Sequence, residues 1–349
     1  MNERAIAARV DFNSLRPLLD DAIASRREFI DANPASNRTS SGVGLEKAFR
    51  LFNGFYEGWP NLALDIYGNT LVVHDHSDGG GDELIRKLTE HIQSTLTWLR
   101  ASLVKKKNAI TQNKKRGEML FGNQPDRKIN EHGVWYALDL TINRDASFYL
   151  DARNLRKWIL ENLRGKTVLN AFAYTGSLGV AAVAGGAHEV TQTDRDHRFL
   201  NLAKKSLSLN DFPIHKRNFI AGDFFPLVAR LKNEKRLFDC VILDPPFFSV
   251  TPRGKVDLLH ESGRLINKVR PLINDGGILV AVNNALYLSG ADYLRALEAL
   301  CKDGYLNIRE LIPVPDDFIG FNRVGKPITD PAPFNHSTKI AILDVKRKS

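Results

Sequence analysis

The sequence predicts an α/β fold with a seven-stranded, mostly parallel sheet whose last strand is antiparallel, and a smaller N-terminal α+β domain. Strand-like and helical stretches alternate strictly from residue 151 onward, which is typical of a parallel sheet covered by helices on both faces. The last two strand-like stretches are joined without helical periodicity, so they should pair antiparallel. A chain of 349 residues exceeds one hydrophobic core of about 250 residues. We therefore expect a helical segment at 1–45, a small α+β domain at 46–145 and an α/β domain at 146–349.

The predicted elements before residue 150 are short and of mixed type. Leu15, Leu19 and Ile23 recur with helical spacing and predict a helix within 12–32. Between 59 and 73 two apolar stretches flank Gly68-Asn69, a turn typical of a β-hairpin. The other predicted elements are a helix at 83–96 and strands at 101–104, 119–121 and 134–142.

Beyond residue 150 strand-like stretches alternate with helices, several of which carry apolar residues at helical spacing. The predicted strands are 167–173, 188–193, 217–221, 238–243, 277–283, 307–314 and 338–345, and the helices are 152–163, 177–184, 196–209, 224–233, 256–273 and 290–302.

The composition is that of an ordinary globular protein, with 43% apolar and 26% charged residues. Lys and Arg outnumber Asp and Glu by 49 to 40, a balance that permits a polyanionic partner. Two cysteines are too few for a disulfide framework or a cysteine-built zinc site. Because no apolar run approaches about 18 residues, we expect no membrane segment and a cytoplasmic location.

The most informative motif is the predicted strand 238–243 and the residues that follow it. Asp244 comes directly after the apolar run, and Pro245 and Pro246 cannot continue a sheet. Asp244 therefore lies at the carboxyl end of a strand, where open α/β sheets bind ligands. A carboxylate and a fixed carbonyl can accept the hydrogens of an exocyclic amine while Phe247 or Phe248 stacks on the ring. This pattern predicts a site for a flat base, although an ordinary proline-rich turn has the same residues.

Three other predicted strand ends suggest a nucleoside cofactor. The first strand runs into Tyr174-Thr175-Gly176 and a helix of small residues, which allows a ligand to approach the backbone closely. The second ends at Asp194, about 20 residues on, where a carboxylate accepts from ribose hydroxyls. The third ends at Asp223. Both aspartates are also good helix caps, and Asp194 by itself does not distinguish NAD from S-adenosylmethionine. The absence of G-x-G-x-x-G argues against a pyrophosphate.

Residues 134–284 resemble the S-adenosylmethionine-dependent RNA methyltransferases of large-subunit ribosomal RNA, which modify cytosine C5 or guanine N7/N2. Residues 50–73 are similar to the strand-rich middle domain of that family. The matching segments are 148–156, 168–177, 185–187, 194, 223 and 243–247.

The resemblance implies a Rossmann-like class I methyltransferase sheet, S-adenosyl-L-methionine as cofactor, and RNA, specifically ribosomal RNA, as partner. It implies that Tyr174, Thr175 and Gly176 border the methionine part, that Asp194 holds the ribose, and that Asp223 lies on the adenine side. The catalytic residues that frame the target base would be Asp244, Pro245, Pro246 and Phe247. The expected cofactor-binding set is completed by Phe148, Asp151, Arg153, Asn170, Phe172, Arg195, Phe224 and Asp244 itself.

The sequence departs from the family at two places. The short helical start leaves little room for the RNA-binding PUA domain that members often carry, and residues 143–147 differ from the usual pattern. RNA binding would then fall to the middle domain, whose clusters 105–107 and 114–116 are basic. We expect Lys105 and Lys114 to contact RNA phosphates, although such runs are commonly solvated surface.

The target atom is predicted to be a base nitrogen, guanine N2 or N7. Methylation at cytosine C5 needs a cysteine thiolate, which in C5-methylating relatives follows the fifth strand. That strand here ends at Asn283-Asn284, a pair similar to guanine-modifying members, and Cys240 lies inside the fourth strand. Amides can read a purine edge. Phe248, Asn283 and Asn284 are therefore expected to bind the substrate.

The long connection 315–337 is expected to act as a lid that grips the substrate, with Phe321 and Arg323 as its contacts. A structural edge loop is the alternative. Four other functions remain open: a cytosine C5 methyltransferase, a methyltransferase of small molecules or proteins, an RNA-binding module without catalysis and, least supported, an NAD dehydrogenase. The oligomeric state is open too.

Overall fold

The computed structural model describes residues 11–31, 47–78, 81–325 and 333–347. The elements before residue 140 are α1 (Phe12–Ser25), α2 (Arg27–Asp31), β1 (Ala48–Asn53), α3 (Gly54–Glu57), β2 (Leu62–Tyr67), β3 (Thr70–Asp75), α4 (Asp82–Thr95), β4 (Ala101–Lys106), α5 (Gln112–Arg116), β5 (Glu118–Phe121), β6 (Lys128–Glu131) and β7 (Val134–Ala137).

The elements after residue 140 begin with a 3-10 turn at Leu150–Ala152. They continue as α6 (Arg153–Asn162), β8 (Thr167–Ala171), α7 (Ser177–Ala184), β9 (Glu189–Asp194), α8 (His197–Ser208), β10 (Phe219–Ala221), α9 (Phe224–Asn233), β11 (Phe238–Leu243), β12 (Phe248–Thr251), β13 (Gly254–Asp257), α10 (Ser262–Val269), β14 (Ile273–Asn283), α11 (Gly290–Cys301), β15 (Leu306–Ile312), α12 (Asp316–Ile319) and β16 (Lys339–Val345).

The described residues form two compact units that interleave along the chain. Unit 1 comprises residues 11–31, 47–78, 81–133, 138–150 and 316–325. Unit 2 comprises residues 134–137, 151–315 and 333–347. None of the helices within the described ranges is both long enough and apolar enough to cross a membrane.

The described part of unit 1 is built on a five-stranded sheet in the order β1-β2-β3-β4-β5. β2 and β3 form the predicted hairpin, with Gly68 at φ 59° in the turn. β3 and β4 are parallel, which requires a crossover, and α4 supplies it. Leu15 and Leu19 of α1 are buried in the same core as Ile85 and Leu88 of α4. The apolar face of each helix therefore covers the sheet.

The main sheet of unit 2 has seven strands in the order β10-β9-β8-β11-β14-β16-β15. The first five of these are parallel neighbours. β16, the last strand, is antiparallel to both β14 and β15, which confirms the predicted fold class. Val241, Ile242 and Leu243 are buried because hydrophobic clusters cover both faces of the sheet.

The predicted helix at 256–273 is wrong in its first part. β12 and β13 form a hairpin at 248–257, and α10 begins only at Ser262. Phe248 and Val250 of the hairpin are exposed, so their alternation carries no signal of burial. β1 and β6 were not predicted, and the predicted strand 134–142 is too long, because β7 ends at Ala137.

Candidate active site

The predicted site residues of unit 2 follow neighbouring parallel strands. The register pairs Ala171 of β8 with Leu243 of β11 and Leu243 with Ala281 of β14. On the other side Ala171 pairs with Thr193 of β9. Because the strands run in one direction, the residues after their carboxyl ends share one edge of the sheet. The structure thus brings together the turn at 172–176, Asp194, Asp223 and Asp244.

The turn after β8 has an unusual backbone. Phe172 and Tyr174 have φ of 57° and 51°, and Gly176 has φ of 76°. A side chain at Gly176 would place its Cβ 2.4 Å from Cβ of Ala203 and 2.5 Å from Oε1 of Gln192. Glycine is therefore required both for its conformation and for the close approach of α8 and β9. Left-handed non-glycine residues are concentrated at functional sites, and this turn has two.

Asp194 is tied to that turn. One carboxylate oxygen accepts from the backbone N–H of Tyr174 at 2.8 Å, and the other from that of Asp196 at 2.9 Å. Burial raises the pKa of Asp194, and these hydrogen bonds act against the rise. The helix cap is Asp196, whose carboxylate accepts from the backbone of Arg198. Asp194 is thus placed beside the turn with oxygens that can accept further donors.

Asp223 does cap a helix, because its carboxylate accepts from the backbone N–H of Phe225 at 3.0 Å. Next to it the rings of Phe172 and Phe224 are stacked with centroids 4.5 Å apart. Arg195 is exposed. The strand ends therefore present a carboxylate and an aromatic pair side by side.

Three further predicted cofactor residues lie in unit 2. Asp151 accepts from the hydroxyl of Thr338 at 2.9 Å, and Arg153 begins α6. Asn170 is buried in β8, with Nδ2 at 3.4 Å from Oε1 of Gln192. Its Oδ1 is buried without a hydrogen-bond partner in the described part of the chain. Phe148 belongs to unit 1, where its carbonyl accepts from the hydroxyl of Tyr67 at 2.8 Å.

Asp244 is the most perturbed acid of this edge. Burial raises its pKa to about 7, and the negative charge of Asp151 adds to the rise. Pro245 is buried, whereas the rings of Phe247 and Phe248 are 36% and 54% exposed. A carboxyl group that titrates near neutrality therefore lies next to accessible aromatic rings. That combination suits proton exchange with a planar ligand.

The predicted amide pair divides into two roles. Asn283 is fully buried, its Nδ2 donates to the carbonyl of Leu258 at 3.0 Å and its Oδ1 accepts from Ala285. These bonds fix the turn after β14. Asn284 places Nδ2 at 3.4 Å from the carbonyl of Pro245, and its Oδ1 has no hydrogen-bond partner in the described ranges. Of the two, Asn284 is the one with capacity for a ligand.

The three substrate-binding residues predicted in other regions all lie in unit 1. Lys105 is buried and donates to the carbonyls of Arg116 and Asn143, whereas Lys114 is exposed on α5. Arg323 donates from its guanidinium to Ser25 at 2.7 Å and from its backbone to Tyr56 at 2.9 Å. The first half of the predicted lid is thus fixed on unit 1, and the part at 326–332 lies outside the described residues.

Sequence reasoning missed several neighbours of these residues. Thr338 contacts Asp151 across 187 positions, and the side chain of Gln192 in β9 lies against Gly176. Tyr174 makes an edge-on contact with Phe199, whose centroid lies 4.5 Å away. No local pattern marks such partners, because they are set by strand pairing and helix packing.

Comparison with known proteins places the chain in a family. A family model described as S-adenosylmethionine-dependent methyltransferase matches residues 49–322. The chain belongs to this family. It is 32% identical over 247 residues to ribosomal RNA large subunit methyltransferase K/L of Colwellia psychrerythraea, covering 68% of this chain and 34% of that protein. It is 31% identical over 244 residues to ribosomal RNA large subunit methyltransferase I of Escherichia coli, covering 68% and 60%.

The solved structures support the same fold. The crystal structure of SMU.776 complexed with SAH matches with a TM-score of 0.81 at 20% identity, covering 96% of this chain and 82% of that one. The chain spans between about one third and three fifths of the length of the curated relatives named above.

The strand ends fit the cofactor of the family. Asp194 offers carboxylate oxygens for ribose hydroxyls, and the buried Oδ1 of Asn170 has no donor among the residues that the structure describes. Gly176, at φ 76°, gives the turn its left-handed conformation directly before α7. When bound, S-adenosylmethionine supplies an electrophilic methyl group on a sulfonium. The residues that would hold it are Tyr174, Thr175, Gly176, Asp194 and Asp223.

Proposed function

We propose that this protein methylates a base nitrogen, guanine N2 or N7, in ribosomal RNA, using S-adenosylmethionine. The observation that carries the proposal is Asp244, a carboxyl group of pKa about 7 at the end of β11, followed by rigid prolines and two accessible aromatic rings. The relatives named as ribosomal RNA large subunit methyltransferases support the RNA substrate. A ribosomal substrate implies a cytoplasmic location.

Each part of the motif has a distinct task. Ionised Asp244 accepts one hydrogen of the base amine, and the carbonyl of Pro245 accepts the other. Asn284 positions that carbonyl through its Nδ2 contact at 3.4 Å. Phe247 or Phe248 covers the face of the base. The amine nitrogen is then held in line with the methyl group, which is the main requirement of a direct displacement.

The proton balance favours N2 among the two nitrogens. An amine that gains a methyl group becomes cationic and must release a hydrogen. Asp244 can take it, because a base is most effective when its pKa lies near the working pH. N7 of guanine carries no hydrogen, so its methylation would release no proton for Asp244 to accept.

The cysteines argue against methylation at carbon C5. The chain has two cysteines, Cys240 and Cys301. Cys240 is fully buried inside β11, where burial raises its pKa to about 12, and Cys301 ends α11. Neither follows the carboxyl end of a strand, so no thiolate is available to attack the base.

Mass mapping of methylated nucleosides tests the proposal. Ribosomal RNA from cells that lack the gene is incubated with the purified protein and labelled S-adenosylmethionine, then digested and analysed. We expect one labelled guanosine product, N2-methyl rather than N7-methyl, formed roughly 10²–10⁴-fold more slowly by the control variant D244N. Label in 5-methylcytidine, in protein or in a small molecule would contradict the proposal.

A further inference from the structure

A recess in unit 1 is lined by a second set of charged residues, which we call the basic recess. His74 and Lys105 are direct partners in the parallel pair β3–β4. Because side chains alternate along a strand, His76 and Lys107 follow them on the same side. Arg144 and Asp145 of the loop 138–147 complete the lining. Four basic side chains thus converge where two parallel strands end, and a fifth comes from a loop.

The charges that line the basic recess do not balance. Lys105, Lys107 and Arg144 are cations, and among the described residues of the lining Asp145 is the one carboxylate. A second carboxylate nearby, Asp65, is already neutralised. Arg50 donates to both of its oxygens, at 2.8 and 3.1 Å, and Nε2 of His74 lies 2.9 Å from Oδ2. With both histidines neutral, the lining carries a net charge of +2, three cations against one anion.

Lys105 is the buried cation among the residues that line the basic recess. Its side chain is 2% exposed, and Nζ donates to the carbonyls of Arg116 and Asn143. Burial lowers its pKa to about 8, although the negative charges of Asp145 and Asp139 act against this. Burial and the charge of Lys107 also lower the pKa of His76, to about 4. A bound anion would relieve both effects.

We propose that the basic recess binds a phosphate group. Guanidinium, ammonium and imidazole donors that converge from different elements provide charge-assisted hydrogen bonds to its oxygens. A phosphodiester of substrate RNA and a free phosphorylated ligand share this chemistry. The assignment to RNA rests on the proposed function, whereas the binding of phosphate does not.

The test compares two variants of the full protein. K107A/R144A removes two cations that line the basic recess and whose side chains are exposed, so the fold should be preserved. K87A removes an exposed cation of α4, elsewhere in unit 1, and serves as the matched control. Binding of a short RNA hairpin is measured over a range of salt concentrations. Inorganic phosphate is titrated at constant ionic strength while the imidazole signals of His74 and His76 are followed by NMR.

We expect phosphate to move both imidazole signals in the wild type and in K87A but not in K107A/R144A. If RNA is the source of the phosphate, the slope of log Kd against log salt falls by about one in K107A/R144A only. An unchanged slope, with the imidazole shifts still lost, assigns the basic recess to a small phosphorylated ligand. Imidazole signals that do not respond, or respond equally in K107A/R144A, overturn the proposal whether or not the protein methylates RNA.

Discussion

Asp244 shows how one residue can be unfavourable for folding and useful for chemistry. It is partly buried at the end of β11, and burial, helped by the charge of Asp151, raises the pKa of its carboxyl group to about 7. Burial disfavours the charged form, so the free protein holds a proton there at mildly acidic pH. The base role needs the ionised form. Activity and ionisation of this group should therefore rise together.

We predict that methyl transfer increases with pH and levels off above about 7, where Asp244 is ionised. D244N should lower kcat by roughly 10²–10⁴-fold, the usual contribution of a positioned base, and should retain cofactor binding. D151N should shift the rise towards lower pH, because it removes the charge that helps to raise the pKa of Asp244. Rates measured from pH 5 to 9 with saturating cofactor check this. A profile that is identical in D151N would count against the coupling.

The same shift has a consequence for stability, and its sign is fixed by linkage. The folded-state pKa is about 7 and the ordinary value is 3.8, so the folded state binds the proton more tightly. The stabilising contribution is complete below pH 3.8 and is lost as the pH rises through 7. D244N should therefore melt at a higher temperature than the wild type at pH 8 and at the same temperature near pH 3.5. Calorimetry without cofactor measures both.

At the scale of elements, the β12–β13 hairpin is the least expected part of unit 2. Gly254 lies against the ring of Phe225, where an added Cβ would approach to 2.3 Å, and Val256 is buried. One side of the hairpin is therefore packed against the rest of unit 2. On its outer side Nζ of Lys255 lies 5.5 Å from the ring of Phe248. An aromatic ring with a cation beside it is a common surface for an unpaired base.

We predict that F248L weakens RNA binding about tenfold, since leucine keeps the apolar bulk but loses the flat face that stacks on a base. V250A removes apolar surface from the same hairpin without removing a ring, so it should bind RNA nearly as well as the wild type. Fluorescence anisotropy with labelled RNA and calorimetry with S-adenosylhomocysteine are the measurements. Equal losses in both variants, or a parallel loss of cofactor affinity, would contradict a stacking role.

Elements with strong local signals could be predicted from the sequence. The strand Phe238–Leu243 and the helices Ser177–Ala184 and Phe224–Asn233 have the predicted bounds, because each is an apolar pattern that ends at Asp, Gly or Asn. The ends of the predicted strands 188–193 and 238–243 also identified Asp194 and Asp244 as candidate site residues. The hairpin was missed because its exposed apolar residues follow no pattern of burial. The contact of Asn284 with Pro245 spans 39 positions and leaves no local signal.

At the scale of the whole molecule, a distant segment completes unit 1. Residues 316–325 follow β15 in the chain, yet Asn53 donates to the carbonyls of Phe318 and Ile319 at 3.0 and 2.6 Å. Arg26 donates to Glu57 at 2.8 Å and to the carbonyl of Asp317 at 3.1 Å. The side chains of Arg26 and Glu57 are 0% and 3% exposed. This buried pair joins the first helix, the β1–α3 region and the segment 316–325.

We predict that R26A destabilises unit 1 by about 3–5 kcal/mol, the usual cost of leaving a buried partner charged and unpaired. R26M/E57Q should recover part of the loss, because no charge is then left buried. R16A breaks an exposed pair with Asp20 and should change stability by less than about 1 kcal/mol. Hydrogen exchange distinguishes the two units. We expect exchange in R26A to be faster than in the wild type in β1 and β2, and unchanged in β8 and β11. A uniform increase would exclude a local role.

The domain boundaries were harder to predict than the elements. The expected boundary at 145/146 assumes that each unit is one continuous stretch. Val134–Ala137 nevertheless belongs to unit 2, where Ala137 donates to Ser206 at 2.9 Å and Trp135 to Asn210 at 2.8 Å. The assignment of this strand to unit 2 depends on contacts between positions about 70 apart, which composition and periodicity cannot predict.

Because the two units interleave along the chain, the last segment of unit 1 is synthesised after most of unit 2. The segment 316–325 leaves the ribosome after most of unit 2. Until then Arg26 lacks its acceptor, the carbonyl of Asp317, and Glu57 lacks its donor, the backbone N–H of Phe321. β16 emerges later still, although it lies between β14 and β15 in the sheet. At about 5–20 residues per second, that interval is long compared with the folding of a small domain. The last described segment of unit 1 and the last strand of the main sheet of unit 2 are thus both synthesised between residues 316 and 345.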